Sequence, residues 1–220
     1  MSSSPVKGPY RMSVPRQHPK KEGYTYGDYL TWSDDKRWEI IDGNVFDMTP
    51  APTTHHQEIS GNLFGLLWAF LHGKPCKVFH APFDVRLPKG NEIDENVKTV
   101  VQPDIIIVCD EKKIDERGMR GAPDIAIEIL SPSTASRDHI LKRRLYEHHG
   151  VKEYWLIDPT NRIFHVYRAS ASGTFDRFEP LDDQATLETP LLPGLSIRLA
   201  EVFPKLPPRV VREGPKKYQV

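Results

Sequence analysis

Cysteine is scarce in this chain, with Cys76 and Cys109 the two present among 220 residues. They form no CxxC pair that could grip zinc and no disulfide framework of the sort small secreted domains rely on, so they read as reduced thiols. Charge of either sign is not in excess: 30 Lys and Arg balance 30 Asp and Glu. That balance argues against a non-specific nucleic-acid coat, which would be basic. No apolar run approaches the ~20 residues that span a bilayer. The opening MSSSPVKGPYRM lacks the apolar stretch of a signal peptide. Together these absences place the chain in the cytoplasm, with no membrane partner. Several chemistries are missing too. There is no GxxxxGK[ST] phosphate loop, no GxSxG elbow, and the run His55-His56-Gln57-Glu58 lacks HExxH spacing.

What remains is an ordinary globular profile, 38% hydrophobic and 27% charged. The length suits one domain with appendages, large enough to bury a core without staples. Proline is abundant, at 20 residues. It gathers in the first 20 positions, around Pro190 and Pro193, and after Val202. Residues 1–22 are polar, basic and without apolar period, and read as a flexible arm. The domain is expected over 23–202 and a basic tail over 203–220.

Within the domain, 25–34 reads as a short helix capped by Thr25. Asp42-Gly43 between two apolar runs signals a tight hairpin, because that pair accepts positive φ. Ile59, Leu63, Leu66, Leu67, Phe70 and Leu71 recur at helical spacing over 53–72, with Gly73 as the stop. Strands are expected at 76–80, 82–88, 101–108 and 122–130, with charged connections at 89–100 and 109–121. The segment from Ser131 to His149 reads as a helix ended by Gly150, with Ser131, Ser133 and Thr134 serving its turn and cap. Two strands follow in VKEYWLID and RIFHVYR, with short strands near 175–179 and 194–199. Trp32, Trp38, Trp68 and Trp155 fall in apolar patterns and read as core. This order predicts an α/β or α+β fold, a sheet flanked by helices. The runs IIIV and IAIEIL suit central strands covered on both faces.

Two acids interrupt those central strands. Glu128 lies inside IAIEIL, and Asp104 opens the run DIIIV. A buried unpaired carboxylate is costly, so Glu128 needs a proton, a basic partner or a cation. Separately, Glu128 could answer a buried arginine, and Asp104 could simply start a strand after Pro103. A shared cation accounts for both, and oxygen-rich carboxylate sites suit magnesium or manganese. Asp124 is a poorer partner. Four strand positions from Glu128, it lies roughly 13 Å away, and it reads as a strand cap. The basic run RDHILKRR at 137–144 could meet phosphates or form a solvated helix face.

The segments WEIIDG, QPDIIIV, PDIAIEILSPST and DHILKRRLYEHHGVKEYWLID resemble the Uma2 (DUF820) family, within the PD-(D/E)XK nuclease superfamily. The resemblance covers roughly residues 24–168. It implies a restriction-endonuclease-like core with a mixed central β-sheet, Mg2+ or Mn2+ as cofactor, and DNA as substrate. It implies metal ligation by Asp104 and Glu128. One position departs from the superfamily pattern. The lysine expected two residues after the glutamate is Leu130, and the resemblance supplies it instead from the next helix as Lys142. Helical spacing agrees, since Asp138, Lys142 and Tyr146 lie at i, i+4 and i+8 on one stripe; a surface pair of Lys142 with Asp138 is the plainer reading. Glu39 of WEIIDG matches a family glutamate and is a candidate further carboxylate. Asp84 and His55 are weaker neighbours, each with a structural alternative: a polar edge-strand face and a helix-end histidine. The expected activity is metal-dependent endonuclease hydrolysis of DNA. The competing readings are a silent binding or assembly module on the same fold and a metal hydrolase of a smaller phosphate ester. By analogy with restriction-like enzymes, a homodimer would suit double-strand cleavage.

Overall fold

The computed structural model describes residues 23–32, 36–48, 51–131 and 137–205. The expected arm at 1–22, most of the tail, and Ser133 and Thr134 lie outside them. Helix α1 (Tyr26–Tyr29) starts at Thr25, whose side chain accepts from Asp28 N–H while Asp28 returns a bond to the Thr25 N–H. This reciprocal capping box holds a helix of a single turn. Strands β1 (Trp38–Ile41) and β2 (Asn44–Asp47) form the expected hairpin. Its turn residues Asp42 and Gly43 have φ of 49° and 78°, the left-handed pair a two-residue turn requires.

Helix α2 (Thr54–Leu71) follows, with Thr53 accepting from His56 N–H. Next come β3 (Lys77–His80), β4 (Val85–Arg86), β5 (Val100–Val101), β6 (Ile105–Val108), β7 (Ile114–Asp115), β8 (Gly118–Arg120) and β9 (Ile125–Ile129). A π-helical stretch, Arg137–Lys142, runs into α3 (Arg143–His148). The chain closes with β10 (Glu153–Asp158), β11 (Ile163–Arg168), β12 (Arg177–Asp182), β13 (Thr186–Leu187) and β14 (Ile197–Arg198).

The strands form two six-stranded sheets, β2-β1-β5-β4-β8-β7 and β12-β11-β10-β9-β6-β3, plus the β13-β14 pair. Both large sheets mix orientations, with β9–β10 and β4–β8 parallel and the remaining pairs antiparallel. The expected mixed α+β architecture is present, but divided between two sheets. The expected single strand 101–108 is where the division falls. Pro103 has no N–H to give a ladder, and the chain breaks into β5 of the first sheet and β6 of the second. The connection 109–121 also holds structure that charge concealed, the β7–β8 hairpin.

The β6 and β9 residues point alternately to two cores. On one face Ile105, Ile107, Ile125, Ile127 and Ile129 meet Ile59, Leu63, Leu67 and Leu71 of α2. On the other, Ile106, Val108 and Ala126 meet Val85, Val101 and Met119 of the first sheet and Leu145 and Tyr146 of α3. Each fully buried leucine or isoleucine contributes about 1.5–3 kcal/mol. Trp38 and Trp155 are buried as expected, whereas Trp68 is 52% exposed. It sits about 100° around α2 from Leu67, off the buried stripe.

The cysteines correct another expectation. Cys76 and Cys109 are joined in a disulfide, with Cα atoms 3.9 Å apart. The register that pairs Lys77 with Val108 makes them the next opposed residues just beyond the ends of β3 and β6. Sequence spacing could not show that adjacency. The bond removes the support that cysteine content lent to a reducing compartment. No helix among the described residues is long and apolar enough to cross a membrane.

Two glycines separate strain from collision. Gly43 has φ +78°, and a Cβ there would come within 2.6 Å of the Gly23 Cα. Gly73 has φ +76° and open space. Gly73→Ala should cost about 1 kcal/mol, and Gly43→Ala about 2–4 kcal/mol. Urea unfolding measures both, and equal losses would contradict the close approach.

Candidate active site

The β6–β9 register sets the site. Ile105 opposes Ile127, so one further step opposes Asp104 and Glu128. Directly opposed residues of an antiparallel pair project from the same face with Cβ atoms about 4.5–5.5 Å apart. That face is the one covered by the π-helical stretch and α3. Asp104 is fixed through Oδ2, which accepts from Ile129 N–H at 2.7 Å and lies 3.1 Å from His56 Nε2. Glu128 is fixed through Oε1, which accepts from Lys142 Nζ at 2.8 Å and Tyr146 Oη at 2.7 Å.

Glu39 arrives from the other sheet. It sits on β1, fully buried, and its Oε1 accepts from Gln102 N–H at 3.0 Å. The same oxygen lies 2.8 Å from Lys142 Nζ. Lys142 therefore bridges Glu39 of one sheet and Glu128 of the other from the helical segment between them. Its third carboxylate, Asp138, lies 3.7 Å from Nζ. The surface pairing of Lys142 with Asp138 does not describe this arrangement, since both side chains are buried. A lysine with four methylenes of reach can enter from a helix where the strand position holds Leu130, which packs in the apolar core instead.

Burial governs the protonation states. Burial drives Glu128 well above the ordinary carboxylate value, against the pull of Lys142. Burial opposes the charge on Lys142, but Glu128 and Glu39 outweigh it and raise the ammonium above its usual value. Lys142 thus stays a cation. Tyr146 is pushed well up by burial and by Glu128, so its hydroxyl keeps its proton and donates. Burial tends to neutralise His56, but its bond to Asp104 and that charge raise it overall.

The other expected residues divide. Asp84 stands one link away. Its Oδ1 accepts from Gln102 Nε2 at 2.8 Å, and Gln102 in turn supports Glu39. His55 is exposed on the first turn of α2, and its neighbour His56 reaches Asp104 instead. The available signal was that His56 lies seven residues, two helical turns, before buried Leu63. Gln102 was also missed, because its contribution is a backbone N–H. Asp124 behaves as a cap, accepting from Cys109 N–H at 2.7 Å and pairing with Lys152 at 2.6 Å. The run 137–144 is no uniform basic face. Lys142 turns inward, Arg143 lies over Tyr167, and Arg144 is exposed.

The donor set suits a hard divalent ion held partly by water. Among the described residues, no three carboxylate, imidazole or thiolate groups form a ready-made cage. The hydrogen bonds of Asp104 and Glu128 there engage one oxygen each, leaving Oδ1 and Oε2 open. Glu39 Oε2 is buried with no partner among the described residues. Magnesium commonly takes one or two carboxylates and keeps several waters, which matches so sparse a set.

Opposed acids on adjacent strands, with a buried lysine beside them, sit on a restriction-endonuclease-like fold. A family model described as "Uma2: Putative restriction endonuclease" matches residues 26–200, and the chain belongs to that family. A Synechocystis sp. relative, "Uncharacterized protein slr1290", is 26% identical over 149 residues, 66% of this chain and 74% of that protein. The fold is similar to a crystal structure from Anabaena variabilis described as "a putative nuclease belonging to DUF820". The TM-score is 0.64 at 22% identity, covering 81% of this chain and 97% of the other.

Removing the bridge should leave two buried carboxylates unpaired. Lys142→Met is expected to destabilise the fold by about 3–5 kcal/mol near neutral pH. The sign with pH follows from Glu128, whose folded value is raised. Such a group favours folding below its unfolded pKa and loses that contribution as pH rises through the folded value. The deficit of Lys142→Met should therefore shrink on acidification, as Glu128 takes up a proton. Urea titrations across pH would show it, and a deficit that grows toward acid would contradict the buried bridge.

Proposed function

We propose that this chain is a divalent-metal-dependent endonuclease that hydrolyses phosphodiester bonds in DNA. The observation that carries the reading is the opposed pair Asp104 and Glu128, each with an open oxygen, beside a buried ammonium. Asp104 and Glu128 would hold magnesium or manganese, with the Ile129 carbonyl as a further oxygen and Glu39 as an auxiliary carboxylate. When bound, such an ion supplies Lewis-acid polarisation of the phosphoryl group and activates water at neutral pH.

Lys142 has a defined part because it does not lose its proton. It is no general base. Its charge orients the attacking water and offsets the negative charge that builds on the phosphoryl oxygens. Water adds to phosphorus, the bond to one deoxyribose oxygen breaks, and that oxygen takes up a proton from water, leaving a phosphate monoester and a hydroxyl. Tyr146 and Asp138 act through their neighbours. Tyr146 holds Glu128 in place, and Asp138 adds negative charge beside Lys142. His56 orients Asp104. Cutting both strands of a duplex would call for a two-fold dimer that presents one such site to each strand.

Supercoiled plasmid and short single-stranded DNA, incubated with magnesium, manganese or chelator, test the reading. Cleavage should require the metal. Asp104→Asn keeps an oxygen for the Ile129 N–H but removes the charge, and should abolish cleavage. Lys142→Ala should lower the rate about 10²–10³-fold. Calorimetry should show Glu128→Gln losing divalent-ion binding while its circular dichroism is unchanged. Ion binding by Glu128→Gln equal to that of the unaltered protein would overturn the ligand assignment. No cleavage by the unaltered protein would favour a binding module built on the same polar network.

A further inference from the structure

The strand registers carry the carboxylate row across the second sheet. Glu128 pairs with Leu156, Leu156 with His165, and His165 with Pro180. The neighbouring row runs Ala126, Tyr154, Tyr167 and Phe178. Paired residues share a face, so Asp104, Glu128, His165 and Phe178 all project to the same side of the sheet. Near Glu128 that side is closed by Lys142 and Tyr146. At the β11–β12 end it opens, and Phe178 is 51% exposed on the edge strand β12.

The exposed end is built from rings. His165 stacks on Phe178 with centroids 5.7 Å apart and planes 12° from parallel. Phe178 lies 4.9 Å from Tyr167. His139, from the π-helical stretch that also carries Lys142, meets His165 edge-on at 5.7 Å. Arg143 sets its guanidinium 5.6 Å from the Tyr167 ring centre. Aromatic faces beside an arginine are the elements on which unpaired bases stack, with cation–π and phosphate contacts from the arginine. Burial and the nearby His139 hold His165 below its ordinary value, so it presents a neutral ring.

Distance fits the same ligand. At about 4.8 Å per strand, His165 lies about 10 Å from Glu128 along its row, and Phe178, three strands away and one row over, about 16 Å. That is about three to five stacked base steps at about 3.4 Å each. The geometry points to Phe178, His165 and Arg143 as a base-stacking subsite that holds the unpaired end of a DNA strand a few nucleotides from the phosphodiester at Asp104 and Glu128. The subsite rests on the nuclease reading for its purpose, but not for its detection. An intact duplex offers no open base faces to it, so the substrate class it selects is single-stranded or frayed DNA.

The test is binding without cleavage. A short fluorescent single-stranded oligonucleotide and its blunt duplex are titrated by anisotropy in chelator, against the unaltered protein, Phe178→Ala, Phe178→Trp and His165→Ala. Phe178 is exposed, so its substitution should leave the fold intact, which the thermal midpoint checks. Phe178→Ala should weaken single-strand binding roughly fivefold or more. Phe178→Trp should restore it, His165→Ala should weaken it, and duplex binding should change less than twofold. Equal single-strand affinity for Phe178→Ala and unaltered protein, or no single-strand binding by the unaltered protein, overturns the subsite. The two readings fail separately. If the unaltered protein cuts no DNA but Phe178→Ala still loses single-strand binding, the nuclease reading falls and the subsite stands. If Asp104→Asn abolishes cleavage while Phe178→Ala binds normally, the subsite falls and the nuclease reading stands.

Discussion

The arrangement turns on one buried cation. Lys142 Nζ lies 2.8 Å from Glu39 on the first sheet and 2.8 Å from Glu128 on the second. Two carboxylates facing each other in an apolar interior would repel and would each bear a large desolvation cost. The lysine turns that conflict into a tie between the sheets. It also constrains the helical segment, because Nζ must arrive from a backbone lying over the second sheet. The π-helical stretch ends at Lys142, and such local widening of a helix is common where a side chain has to be aimed. Tyr146, one α-helical turn further on, completes the bonding of Glu128.

Much of this was legible because local chemistry matched global need. Asp42-Gly43 specified its turn through φ alone, and Thr25 with Asp28 specified a cap. An acid inside IAIEIL was conspicuous because apolar neighbours on both sides left it no solvent. The i, i+4, i+8 spacing placed Asp138, Lys142 and Tyr146 on one stripe, and the structure buries all three. What was hidden depended on register or on backbone atoms. Cys76 and Cys109 face each other only once β3 has paired with β6. Gln102 supports Glu39 through an N–H that any residue but proline would offer. His55 and His56 differ by 100° of helix rotation, a smaller angle than an apolar stripe resolves from sequence.

The break at Gln102-Pro103-Asp104 shows how one short segment serves both sheets. Val100 and Val101 pair in the first sheet, and Ile105 to Val108 pair in the second. Between them, Gln102 hands its N–H to Glu39 and its side chain to Asp84 and Arg37. Two residues later Asp104 takes the N–H of Ile129. Proline ends one ladder and frees the chain to change sheets. The crossing therefore delivers a hydrogen bond to Glu39 and the side chain of Asp104 within three residues. A charged residue that reads alone as a strand-start turn becomes, in this setting, the point where the sheets meet.

Zero net charge looks at first like an argument against a phosphate-rich ligand. The distribution answers it. Asp138 and Glu39 neutralise Lys142 inside the protein, and Asp94 and Asp115 neutralise buried Arg86 in the first sheet. Basic residues spent on structure contribute nothing to the outer field, so the balance of formal charges says little about the surface around the site. Beside the carboxylate row the helical segment sets the Arg143 guanidinium over the Tyr167 ring and leaves Arg144 exposed. One helical segment thus turns Lys142 inward to hold the carboxylates and lays Arg143 over a ring of the same sheet face, and a single helix register sets both.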